Sequence, residues 1–151
     1  MCDYKKRRKT YLRLYSENKD GGTYTSPTFI LKHNIEDITA FQISDFYVRY
    51  TDSGSQSIKI NSRELSNLST DRIQGSYDSA NQTIHEVQTQ YSSNTAGSTG
   101  GNRQLSVSPI YNVVNGRLSN IAFDFLNLDG ITAATNFTTL DKWSMLICLY
   151  H

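Results

Sequence analysis

Apolar and polar residues alternate with a period of two along most of this chain, in short runs. In Tyr11-Leu12-Arg13-Leu14-Tyr15, Leu12 and Leu14 fall on one face and Tyr11, Arg13 and Tyr15 on the other, as in a half-buried strand. The polar residues 16–23, with Gly21-Gly22, close it as a loop. Thr28-Phe29-Ile30-Leu31 predicts a second strand, entered after Pro27, where a missing amide hydrogen does little harm. Residues 38–50 predict a longer one. There Phe41 and Ile43 face inward and the register then shifts to Phe46, Val48 and Tyr50, with a bulge at Ser44-Asp45. Turn chemistry at Asp52-Ser53-Gly54-Ser55 precedes the alternating Ser57-Ile58-Lys59-Ile60-Asn61, so these two strands are expected to form a hairpin.

Residues 62–83 are polar, with one helical turn expected over residues 63–68. Residues 83–91 predict a strand with His85, Val87, Thr89 and Tyr91 on one face and Ile84 and Glu86 on the other. Residues 92–102 hold no large apolar side chain. Burial there cannot offset the entropy of ordering, which predicts an exposed, mobile loop. Leu105-Ser106-Val107 and Ile110-Tyr111-Asn112-Val113-Val114 predict one or two short strands ended by Asn115-Gly116. Beyond them Ile121, Phe123 and Phe125 face inward, and Asp129-Gly130 turns the chain. The longest apolar run, from Trp143 to Tyr150, is interrupted only by Ser144 and predicts a strand buried on both sides, fed by a turn over residues 136–142. Many short strands with almost no helical pattern point to an all-β antiparallel sandwich or barrel.

A chain of 151 residues is most simply one domain, burying roughly 68–70% of the surface its unfolded form exposes. Cys2 and Cys148 lie at opposite ends and are read as free thiols rather than a disulfide or zinc framework. The first thirty residues lack the apolar stretch of a signal peptide, so a reducing compartment is expected and the sequons at Asn67, Asn81 and Asn136 are expected to be idle. No run approaches the ~18 apolar residues of a membrane helix.

Charge is distributed unevenly. Residues 1–13 hold six cations against the single Asp3, a local balance of +5 in a chain of net charge +1. Residues 1–10 are therefore read as a mobile basic arm, and residues 11–151 as the folded domain. The consecutive cations Lys5, Lys6, Arg7, Arg8 and Lys9 are the candidate nucleic-acid-binding residues, with a solubilising tail and a nuclear-localisation signal as the other readings. Full engagement of duplex DNA by such a run gives a salt slope of about −4.

Catalytic chemistry finds little footing. His33, His85 and His151 are widely spaced, and His85-Glu86 lacks the second histidine of a zinc-protease helix, so a surface histidine on a strand is expected. No serine stands in a Gly-x-Ser-x-Gly elbow and no glycine-rich loop precedes a helix. The segment Asp124 to Gly130 fails as an EF-hand loop because it lies on a strand and Phe125 stands where a ligand is needed. No enzyme activity, metal or cofactor is expected. The ten tyrosines are read as cross-strand packing pairs before sugar platforms.

The succession Tyr11-Leu12-Arg13-Leu14-Tyr15-Ser16-Glu17-Asn18-Lys19-Asp20-Gly21-Gly22, then Pro27-Thr28-Phe29-Ile30-Leu31, then Ile38 to Val48, resembles the opening of single jelly-roll capsid proteins of eukaryotic double-stranded DNA viruses, such as virophages, polinton-like viruses and giant-virus relatives. Asn115-Gly116-Arg117-Leu118-Ser119-Asn120-Ile121-Ala122-Phe123-Asp124-Phe125, an Asp-Gly turn, and Trp143 leading an apolar last strand resemble the family's closing pattern. The chain departs from the family at Thr51-Asp52-Ser53-Gly54, where a proline-containing turn is usual. The resemblance implies an eight-stranded jelly roll that self-associates in the virion, as the pentameric vertex capsomer (penton) of an icosahedral shell or as a minor or cement capsid protein. Its implied neighbour is a double jelly-roll major capsid protein, and its basic arm would face genomic DNA or an internal membrane surface. A carbohydrate-binding or trimeric receptor-binding β-sandwich is the alternative from another class.

Overall fold

The computed structural model describes residues 7–49, 54–70, 83–91, 107–127, 129, 132–134 and 142–151. Among them the fold is all-β and antiparallel. Its strands are β1 (Lys9–Tyr15), β2 (Gly21–Gly22), β3 (Pro27–Arg49), β4 (Gly54–Asn61), β5 (Thr83–Tyr91), β6 (Tyr111–Ala122), β7 (Asp124–Leu126) and β8 (Lys142–Tyr150), with one helix, α1 (Arg63–Leu68). One sheet runs β1-β8-β3-β2, with β6 also on β3; the other runs β5-β4-β7.

The last strand lies at the centre, as its composition predicts. β8 pairs with β1 along Lys9↔Tyr150 to Tyr15↔Ser144 and with β3 along Ala40↔Tyr150 to Arg49↔Lys142. Trp143, Met145, Ile147 and Leu149 enter the main core, while Cys148 and Tyr150 on its other face are buried with Ala40. The expected bulge is present, because the β3–β8 register shifts between Ile43 and Asp45. The two sheets meet on one set of rings. Trp143 stands edge-on to Phe125 at 5.0 Å and to Phe29 at 5.8 Å, and Phe46 reaches Phe125 at 5.7 Å. Such pairs add about 0.5–1.5 kcal/mol each beyond their burial.

Several expectations need correction. The ladder begins at Lys9 rather than near Tyr11, because β8 continues opposite it to Tyr150. Residues 27–49 form one strand of 23 residues instead of two, since its pairing with β6 continues through register shifts between Ile30 and Ala40. Likewise β6 passes through Asn115-Gly116 instead of ending there. Among the described residues β4 pairs with β5 and β7 and not with β3, so in place of the predicted hairpin the chain crosses to the other sheet between Arg49 and Gly54. His85 is 6% exposed, not a surface residue. The β4–β5 register slips around Ile84, between the pairs Ile60↔His85 and Asn61↔Thr83, and this bulge lets Ile84 and Val87 both enter the core.

β3 and β6 bend together. The first half of β3 pairs Thr28↔Ala122 to Ile35↔Leu118; past the bend it pairs Ala40↔Asn112 and Phe41↔Tyr111, while its other edge takes β8. Each strand places one left-handed residue at this corner, Asp37 (φ 56°) and Asn115 (φ 49°). Asp and Asn tolerate that region better than other side chains. Gly116 is needed beside them, since a Cβ there would lie 3.2 Å from Leu68 Cδ2 and 3.3 Å from Ile38 Cβ and would crowd Val113. Helix α1 forms where expected, with Leu65 N–H donating to the Ser62 hydroxyl at 3.4 Å and the Leu65 side chain fully buried. The chain then covers the edge of β6 through Ser69↔Val113 and Thr70 N–H to the Asn112 carbonyl at 2.8 Å. At the other end β6 leads through Phe123 into β7, moving from one sheet to the other within one residue. Cys2, Leu105, Ser106 and the calls on residues 92–102 and 136–141 lie outside the described residues.

Candidate functional site

The basic segment runs directly into β1. Lys5 and Lys6 lie outside the described residues, while Arg7, Arg8 and Lys9 sit at the seam of β1, β8 and β3. Arg7 Nη1 donates to Thr39 Oγ1 at 3.0 Å, and that hydroxyl donates to the Tyr150 carbonyl at 3.3 Å. The Arg8 carbonyl accepts from His151 N–H at 2.9 Å. Lys9 Nζ stands 5.4 Å from the centre of the Tyr150 ring, within range of the attraction between a cation and a ring face. At least the last three cations of the run are therefore anchored rather than part of a loose arm.

His151 closes the same seam. Its Nδ1 faces the Glu36 carbonyl at 3.0 Å and its Nε2 faces Thr10 Oγ1 at 2.7 Å. A carbonyl only accepts, so the hydrogen-bond network assigns the proton to Nδ1, and in the neutral ring Nε2 accepts from the Thr10 hydroxyl. The Glu36 carboxylate meets Arg117 Nε at 3.5 Å, with both side chains 61% exposed, an arrangement worth about 0–1 kcal/mol. Thr39, Tyr150 and His151 were not singled out from the sequence as partners of the basic run. Thr39 lies 32 residues from Arg7, and Tyr150 and His151 stand at the far end of the chain, so there is no local signal. Arg13 was legible in principle, because it lies four residues beyond Lys9 on the same face of an alternating strand.

A cleft of about 470 Å³ opens between β1 and the first half of β3. Leu12, Leu14, Phe29 and Leu31 line its apolar part, and Arg13 and Lys32 its polar part. Asp20, also on its lining, is engaged by the backbone: its carboxylate accepts from Ile30 N–H at 2.6 Å.

Among the described residues no three of His, Cys, Asp and Glu converge closely enough to hold a metal ion. The buried Cys148 thiol is pushed above its ordinary value of 9.0 by desolvation, with a hydrogen bond to Tyr150 and the charge of Lys9 pulling the other way. Such a thiol stays protonated at neutral pH and is a poor nucleophile. Among the described residues the exposed side chains include cations, carboxylates and the rings of Tyr11 and Tyr15. Compared with known proteins, the chain matches no family model and no curated protein sequence.

Proposed function

We propose that this chain is a structural virion protein: a single jelly-roll capsid subunit that self-associates as the pentameric vertex capsomer of an icosahedral shell. The observation that carries the reading is the strand order on either side of the corner at Asp37 and Asn115. With β3 and β6 divided there, one layer reads β1, β8, second half of β3, first half of β6. The other reads first half of β3, second half of β6 with β7, β4, β5. Two four-stranded layers in this order are what a jelly roll of two Greek keys requires, and jelly rolls recur in viral capsids. The resemblance of residues 11–150 to single jelly-roll capsid proteins turns that fold toward a shell role.

In this reading the basic run Lys5, Lys6, Arg7, Arg8 and Lys9 faces the encapsidated genome, its last three members from the seam between β1 and β8. A double jelly-roll major capsid protein surrounds the vertex. Self-association in a closed ring demands two complementary subunit edges. Negative-stain images of the purified protein at high concentration test the idea: five-fold rings are expected, and a field of three-fold particles would move the chain to a minor-capsid role.

A further inference from the structure

We propose that the outward face of the edge strand β1 is a platform for single-stranded nucleic acid. The registers of β1 with β8 and of β8 with β3 set out four rows on this face. They are Lys9-Tyr150-Ala40, Tyr11-Cys148-Gln42, Arg13-Leu146-Asp45 and Tyr15-Ser144-Tyr47. The intervening rows, built on Ile147 and Met145, point into the core, so these four point away from it. Along β1 itself the face reads cation, ring, cation, ring.

Burial does not explain the rings. Tyr11 is 60% and Tyr15 43% exposed, and Arg13 between them is exposed as well. Both tyrosines leave ring surface open for stacking. The charge on this face also has one sign at the surface: Lys9 and Arg13 stand in the rows, whereas the only carboxylate in the rows, Asp45, is 4% exposed. Glu17 lies beyond Tyr15, in the turn that follows the strand.

Exposed rings interleaved with cations on an accessible strand match the chemistry of single-strand binding, in which bases stack on side chains and cations follow the phosphates. A duplex fits poorly. Its bases are stacked on one another at ~3.4 Å and offer no free face to a tyrosine, whereas alternate residues of a strand stand ~6.8 Å apart. A sugar would also stack on the rings, but the cations and the lack of an exposed carboxylate in the rows favour a polyanion. Among the described residues β1 is the edge of its sheet, which leaves room for a strand of nucleotides to run along it. The platform rests on strand register and exposure alone. It stands whether or not the chain is a capsid subunit.

The test is fluorescence anisotropy with the full chain, using a labelled oligothymidylate of about ten nucleotides and a mixed-sequence duplex of the same length, over a salt series. The single strand is expected to bind more tightly. Tyr11→Ala and Tyr15→Ala should each weaken it by about tenfold, with little change for the duplex, and the phenylalanine variants should restore it. Arg13→Gln should flatten the single-strand salt slope by about 0.7. Because both tyrosines are exposed, an unchanged unfolding midpoint will show that the variants fold. Unaltered oligothymidylate binding in the double alanine variant would overturn the platform, as would equal losses for both probes. Absence of oligonucleotide binding at low salt, with a concentration-dependent mass that the double variant abolishes, would assign the face to a second copy of the chain instead.

Discussion

The two faces of the sheet formed by β1, β8 and β3 share every backbone register and little else. On the inner side, the rows Leu12-Ile147-Ile43 and Leu14-Met145-Phe46 are aliphatic or aromatic, with Ile147, Ile43, Met145 and Phe46 fully buried. On the outer side, one residue along, stand Tyr11, Arg13 and Tyr15, all exposed. A period of two thus writes two surfaces into one strand. One holds the fold and the other is free to meet a partner, so substitutions one residue apart should be read by different instruments.

The largest expected effect lies on the inner face. Phe46→Ala removes a ring packed on Phe125 and Trp143 and should cost about 3–5 kcal/mol in urea unfolding. A loss below about 1 kcal/mol would mean that the shared aromatic cluster does not join the layers. Next comes Gly116→Ala at the corner, where the new methyl group meets Ile38, Leu68 and Val113. It should cost about 1–3 kcal/mol by overpacking, and an unchanged urea midpoint would show that the bend has slack.

The outer face should respond far less. Tyr11→Ala and Tyr15→Ala should each leave stability within about ±0.5 kcal/mol, so that any loss of binding is not a loss of fold. Cys148 sharpens the comparison because it points outward yet is buried. Its raised thiol pKa means that the unfolded chain gives up the proton first. Stability is therefore full below the ordinary thiol value of 9.0 and declines as pH rises through and above it. Wild type should lose more stability than Cys148→Ala between neutral and alkaline pH; parallel curves would contradict the burial.

The sequence revealed most where the signal was local. The alternation of β1 and the apolar run of β8 are readable because each side chain faces one environment for the whole length of its strand. Partner choice is not local. Asp52-Ser53-Gly54-Ser55 announced a turn but not that the strand beyond it joins the opposite sheet, pairing with β5 and β7. The strands expected over residues 28–31 and 38–50 are one, because the exposed polar stretch Lys32-His33-Asn34 between them interrupts the apolar alternation without ending the strand. Asp37 and Asn115 were the traces of the shared corner, yet a single Asp or Asn is too common to mark a left-handed residue. At the site, charge made Lys5 to Lys9 visible, whereas the anchoring of Arg7, Arg8 and Lys9 to Thr39, His151 and Tyr150 depends on strands distant in the chain.

The most direct measurement of the central claim is the solution mass of the purified chain by light scattering across a concentration series. The account predicts a pentamer that accumulates as concentration rises. A mass of one chain at every concentration would contradict it.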